Sequence, residues 1–246
     1  QQCEGHHYPN VPFGQEHLVV KFKGRKLARI DTKYLYTHIY GKLTQEFWAE
    51  RHEIPRHRLQ CVHWEAQDKA FRCLPLGKRR WLVKHLAGQC GVGRVLARRK
   101  YQDHDTCPRC NAPDETASHV VLCTDHRART KLKLLLDDLF KWMTDNHTHP
   151  DLSKAILQRL HEWRSSLPSQ PITGSRTLRR TIKEQDEIGW ENFLNGRPSR
   201  RFAEYQHIHF RNIGKEYFGH IWLSKLIIQL YDVTWQMWEH RNDIKH

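Results

Sequence analysis

Three thiols and one imidazole stand in a C-x2-C-x8-H-x3-C arrangement at Cys107, Cys110, His119 and Cys123. Such a donor set closes a tetrahedral shell around one Zn²⁺. All four positions are taken by protein atoms, so no place is left for a catalytic water and the expected ion is structural. Pro108 stiffens the turn of the first pair. His119 and Cys123 lie four apart, on one face of a short helix expected to start near Ser118. His126 is close enough to replace His119 as a ligand. The chain holds 7 Cys and 19 His, yet a C-x-x-C feeding a compact His/Cys pair rarely arises by chance.

The elements that must position these ligands are read as helices. Asp31 is expected to cap one through Tyr34, Leu35, His38, Ile39 and Leu43, and Thr44 to restart another that ends before Pro55. A helix over Trp64 to Cys73 stops at Pro75. Two basic helices follow, the first carrying Trp81, Leu82, His85 and Leu86, with a break at Gly91-Val92-Gly93 before the second, which ends near Tyr101. Beyond the ligands, Arg127 to Met143 and Asp151 to Ser166 form a helical hairpin. The last third holds helices over Leu178 to Leu194, Phe202 to Arg211, and Glu216 to the end. That last helix is apolar over more than half its circumference and is expected at the centre of its bundle. Before all of these, residues 1–16 read as an irregular arm. His17 to Ile30 alternates like a short β-hairpin turning at Gly24-Arg25. The fold expected is therefore mainly α, as helical bundles with an N-terminal hairpin and a central zinc knuckle. Its divisions are residues 17–166, a linker at 167–175 and a Trp-rich bundle at 176–246.

Charge points to a partner. The 246-residue chain has 41 Lys and Arg against 27 Asp and Glu, a formal charge of +14. Such an excess predicts an anionic partner, RNA or DNA before others. Between Asp68 and Asp103 there is no acid, and ten cations gather there. From these the expected contacts to nucleic acid are Lys78, Arg79, Arg80, Lys84, Arg94, Arg98, Arg99 and Lys100, with Arg109 in the knuckle. Trp81 and Tyr101 could stack on bases of a single strand.

Other chemistry is absent. The glycines from Gly88 to Gly93 lack the Lys-Ser/Thr of a phosphate loop. The paired acids, such as Asp137-Asp138, do not follow strands as a two-metal site requires. His240, Asn242 and His246 faintly suggest a zinc-dependent His-Asn-His nuclease, but they crowd onto one helix. A protein-interaction module built on the Trp-rich bundle is the other alternative. Cys3, Cys61, Cys73 and Cys90 read as plain thiols of a reducing, intracellular compartment, nuclear or cytoplasmic. No apolar run suggests a membrane span. The chain opens on Gln, as a piece of something longer would.

Four stretches together resemble a known family: Arg80-Trp-Leu-Val-Lys84, the Cys-Pro-Arg-Cys with His119-Val-Val-Leu-Cys123, Ile188-Gly-Trp-Glu-Asn-Phe-Leu-Asn-Gly196, and Trp238-Glu-His-Arg-Asn242 with His246. The series is similar to the C-terminal region of retroelement-type reverse transcriptases of algae and related eukaryotes, from about residue 18 onward. The resemblance implies zinc ligands at Cys107, Cys110, His119 and Cys123. It also implies a role in holding template RNA or target DNA for polymerase and ribonuclease H domains upstream. The polymerase's catalytic aspartates have no counterpart here.

Overall fold

The computed structural model describes residues 21–22, 25–26 and 32–245, and the fold they form is mainly helical. The chain divides into two compact units, residues 1–48 and 49–246, each described by itself. The irregular arm lies outside the described residues. The hairpin expected over 17–30 is not supported. What is described there is a two-residue pairing of Lys21–Phe22 with Arg25–Lys26. That is far below the length at which strands hold themselves together. Arg25 also lies in the pairing opposite Phe22 rather than in a turn.

Helix α1 runs unbroken over Thr32–Arg51, without the restart expected at Thr44. A 3-10 helix at Arg56–Cys61 leads into α2, Trp64–Cys73. The His63 ring caps α2 by accepting from the Ala66 N–H at 3.3 Å. Pro75 ends this stretch and opens α3, Leu76–Leu86, which is followed by α4, Gly93–Arg98, and α5, His119–Leu122. Asp125 caps α6, His126–Asp145, with its carboxylate on the Arg127 and Ala128 N–H groups. Leu132, Leu135, Leu139 and Met143 form the buried stripe of α6, while Phe140, expected on it, is exposed. His149 caps α7, Pro150–Arg164, and Pro150 at the first turn loses no hydrogen bond there.

Ser175 caps α8, Arg176–Ile188, which Gly189 terminates at φ 98°. A separate short helix α9, Trp190–Leu194, follows, so the helix expected through Leu194 is two. Ser199 caps α10, Arg200–Asn212. The longest helix, α11, spans Gly219–Lys245 and packs against α2, α3, α5, α6, α9 and α10. Leu223, Leu226, Ile227 and Leu230 on it are fully buried, each worth about 1.5–3 kcal/mol relative to exposure. Gly219 allows α11 to start directly against α10, since a Cβ there would collide with the Ala203 carbonyl oxygen.

The expected boundary at 167–175 does not separate domains. That stretch is a surface loop of the 49–246 unit. Leu152, Ile156 and Leu160 before it share one core with Leu178 and Ile182 after it. Among the described residues, no helix is long and apolar enough to cross a membrane.

Candidate metal centre and its basic flank

Cys107, Cys110, His119 and Cys123 converge, with their ligand atoms all within 4.8 Å of one another. The Cys107 and Cys123 sulfurs are 3.8 Å apart, and the Cys110 sulfur is 3.2 Å from His119 Nε2. The edge of a tetrahedron of thiolates about 2.3 Å from a central ion is roughly 3.8 Å, so the cluster can hold a metal ion. His126, the alternative ligand, is exposed and not part of it.

Local structure explains the convergence. After Cys107 the chain makes a tight knuckle in which the Asn111 N–H donates to the Cys107 carbonyl at 2.9 Å and Asn111 takes φ 58°. The Cys107 N–H in turn donates to the Ala112 carbonyl at 2.9 Å. α5 starts at His119, and Cys123 stands just past its end. The Cys107 thiol is held well below its ordinary pKa, first by the Cys123 thiol donating to it, then by His119 and the backbone N–H groups of Cys110 and Arg109. The same pairing keeps the proton on Cys123, and hydrogen bonds to the Cys107 and Cys110 sulfurs raise His119 above the usual imidazole range. A bound cation would displace these shared protons.

Glu115 fastens this loop to the rest of the unit. Its carboxylate is wholly buried and accepts from the Gly93 N–H at 2.7 Å, Arg241 Nε at 3.0 Å and Arg241 Nη2 at 2.5 Å. One buried ion pair thus joins the ligand loop, the start of α4 and the last turns of α11. Gly93 is required in this corner, because a Cβ would collide with the Asp105 carbonyl oxygen. Spacing gave no sign of this. Gly93 reads as part of the break between the basic helices, and no spacing links Glu115 to Arg241.

Arg109 is not where its charge suggested. The residue is only 5% exposed, and its Nη2 donates to the Val120 carbonyl at 2.6 Å. Nε and Nη1 are buried without hydrogen-bond partners. A buried cation is costly unless an anion compensates it. A divalent ion with three thiolates and a neutral imidazole carries a net −1, and the field of Arg109 already reaches the Cys123 sulfur. Arg109 is therefore placed to answer the charge that a bound divalent ion would give the cluster, and is not open to a phosphate in solvent. Arg109→Met is expected to weaken divalent-ion binding about 10- to 100-fold in competition with a chelator. An unchanged affinity would contradict this role.

The other expected contacts divide sharply. Trp81, 9% exposed, stacks on His85 at 4.9 Å and meets Trp235 edge-on at 5.0 Å, so it serves the core and has no face for a base. Lys78 is paired with Asp232 at 2.5 Å and lies over the Trp235 ring. Arg79 is half-buried. Arg94 forms a two-pronged ion pair with Asp114. Arg80 and Lys84 on α3 are exposed, as are Arg98, Arg99, Lys100 and Tyr101 at the end of α4. Among the described residues, the side chains of Arg98 and Arg99 hydrogen-bond to the Gln89 side chain alone. Cys90 is a buried thiol whose burial pushes its pKa up to about 12. No protein-family model, curated protein or solved structure matches this chain.

Proposed function

We propose that the protein is a non-catalytic, zinc-stabilised nucleic-acid-binding module that holds RNA or DNA chiefly through phosphate contacts. Three thiolates and an imidazole in a closed, mostly buried set suit Zn²⁺ in a structural role. The observation that carries the reading is the run Arg98-Arg99-Lys100-Tyr101. All four side chains are exposed, none has an ion-pair partner among the described residues, and the run leads directly into the metal loop. Tyr101, at 75% exposure, offers a ring face beside three cations, a combination suited to a single strand. The four-part resemblance supports the origin: a reverse-transcriptase C-terminal region acting beside polymerase and ribonuclease H domains, in the nucleus or cytoplasm.

The alternatives have less to stand on. In the Trp-rich bundle Trp190 and Trp222 are buried and Trp235 and Trp238 pack on the core, which leaves a protein partner little tryptophan surface. For a nuclease, His240 and Asn242 share α11, Asn242 accepts from Arg241 at 3.2 Å, and burial lowers the His240 pKa. His246 lies outside the described residues.

The test is a binding titration against single- and double-stranded RNA and DNA at several salt concentrations. Each phosphate contact contributes about 0.7–0.9 to the slope of log affinity against log salt. Reversing Arg98, Arg99 and Lys100 to Glu together is expected to lower that slope by about 2–3. A reversed protein that binds as tightly, with the same slope, would refute the assignment.

A further inference from the structure

We infer that the turn between α10 and α11, residues 213–218, is a stacking platform for single-stranded nucleic acid, distinct from the α4 cations. This rests on the nucleic-acid reading proposed above and gives it a second contact surface. Every residue from Arg211 to Phe218 is exposed, including Tyr217 at 50% and Phe218 at 55%. These rings are nevertheless fixed from behind. Tyr217 lies nearly parallel to the His147 ring, 18° and 6.3 Å away, and edge-on to Phe210 at 5.4 Å. Phe218 lies parallel to His207, 5° and 6.2 Å away. Rings held in place and open to solvent lose little entropy when a base settles on them.

Space is available on both sides of the turn. A cavity of about 340 Å³ is walled by Phe210, Tyr217, Phe218 and Trp222. A shallower cleft of about 600 Å³ is lined by His207, Arg211, Lys215, Tyr217 and Phe218. Arg211, Lys215 and Lys225 are exposed and have no ion pair among the described residues. The cavity carries Asp145 and Glu216 against Lys225, and the cleft carries Glu216 against Arg211 and Lys215, so over the two together three cations face two carboxylates. Aromatic walls alone would also suit an ammonium ligand, and the three cations weigh against it. Aromatic faces interleaved with cations are what a single strand requires, its bases stacking while its phosphates are neutralised.

The platform stands at the start of α11, whereas Arg241, which anchors the metal loop, stands near its end. Twenty-two residues at 1.5 Å each separate Gly219 from Arg241, roughly 33 Å, so the two surfaces can be altered independently.

The experiment is fluorescence anisotropy of the full chain with labelled oligouridylate and oligothymidylate of about 15 nucleotides, a length within known single-strand site sizes, and with a duplex of equal length. A Tyr217→Ala, Phe218→Ala double variant is expected to bind the single strands about 5- to 100-fold more weakly, with the salt slope and duplex binding unchanged. Phe218→Leu, which keeps an apolar side chain over His207 but has no ring, is expected to weaken binding in the same direction. Should the double variant fail to fold, Phe218→Leu decides. If the aromatic variants bind single strands as tightly as the native chain while the α4 reversal weakens them, the platform is refuted and the α4 reading stands. That result is also what a surface serving a protein partner would give. If no oligonucleotide binds even at low salt, both readings fall.

Discussion

Removing the metal is expected to unfold the segment from about residue 102 to 124 while the surrounding helices stay folded. Apart from the Glu115–Arg241 and Arg94–Asp114 ion pairs and the packing of Val120 and Val121, the segment has little else to hold it. α5 is four residues long, too short to persist by its own hydrogen bonds. The knuckle supplies only a few backbone bonds, and Cys107 and Cys123, both at zero exposure, bring their sulfurs together there. Structural zinc in small fingers contributes about 10–16 kcal/mol of apparent binding energy at neutral pH. That is as large as the roughly 5–15 kcal/mol net stability of a whole domain. Cys107, Val120, Val121 and Cys123 lie in the same core as α6, α7, α10 and α11, but the greater part of that core comes from helices outside the segment, so the loss should be local. Hydrogen exchange read at Val120 and Val121, which are buried, should rise to near-unfolded rates on chelation, while Leu226 and Leu230 stay protected. Acid should do the same, because three thiolates and an imidazole must bind protons as the metal leaves. Protection at Val120 that survives chelation would contradict the structural role.

Glu115→Gln is expected to cost about 3–5 kcal/mol, the usual penalty for leaving one half of a buried ion pair uncompensated. Arg241 is 1% exposed and directs two nitrogens at this carboxylate. Among the described residues, no other carboxylate pairs with Arg241. For a unit of this size the loss corresponds to a fall in Tm of roughly 6–20 °C. The double variant Glu115→Gln, Arg241→Met should regain much of it, because no unpaired charge remains buried and the two effects couple. Urea unfolding of the native, single and double proteins measures this cycle. A loss below about 1 kcal/mol, or strictly additive effects, would show that the pair does not anchor the loop.

The ligand set was legible because its information is local: two short spacings and one helical turn specify it. Helix positions were legible for the same reason, and α2 begins and ends where Trp64, Cys73 and Pro75 place it. What stayed hidden was every feature made by distant parts of the chain. Glu115 and Arg241 are 126 positions apart, and no periodicity links them. The stretch from Lys69 to Gln102 is free of acids along the sequence but not in space. Asp232 comes to Lys78 from α11 and Asp114 to Arg94 from the metal loop, and two of the expected phosphate contacts are thereby occupied. Trp81 stands among cations as a stacking residue would, yet its ring belongs to the apolar face of α3 against Trp235 and Trp238. The platform at Tyr217 and Phe218 carries no motif at all. It emerges only when the α6–α7 turn brings His147 beneath Tyr217.

Metal content is the most direct measurement. Mass-spectrometric metal analysis of the purified chain, repeated after unfolding and refolding with zinc, should return one zinc per chain in both preparations. Replacing Cys107 and Cys123 together by Ser should abolish it. A native chain that stays substoichiometric after refolding with zinc, or that holds its zinc without those two cysteines, would contradict a metal centre at Cys107, Cys110, His119 and Cys123.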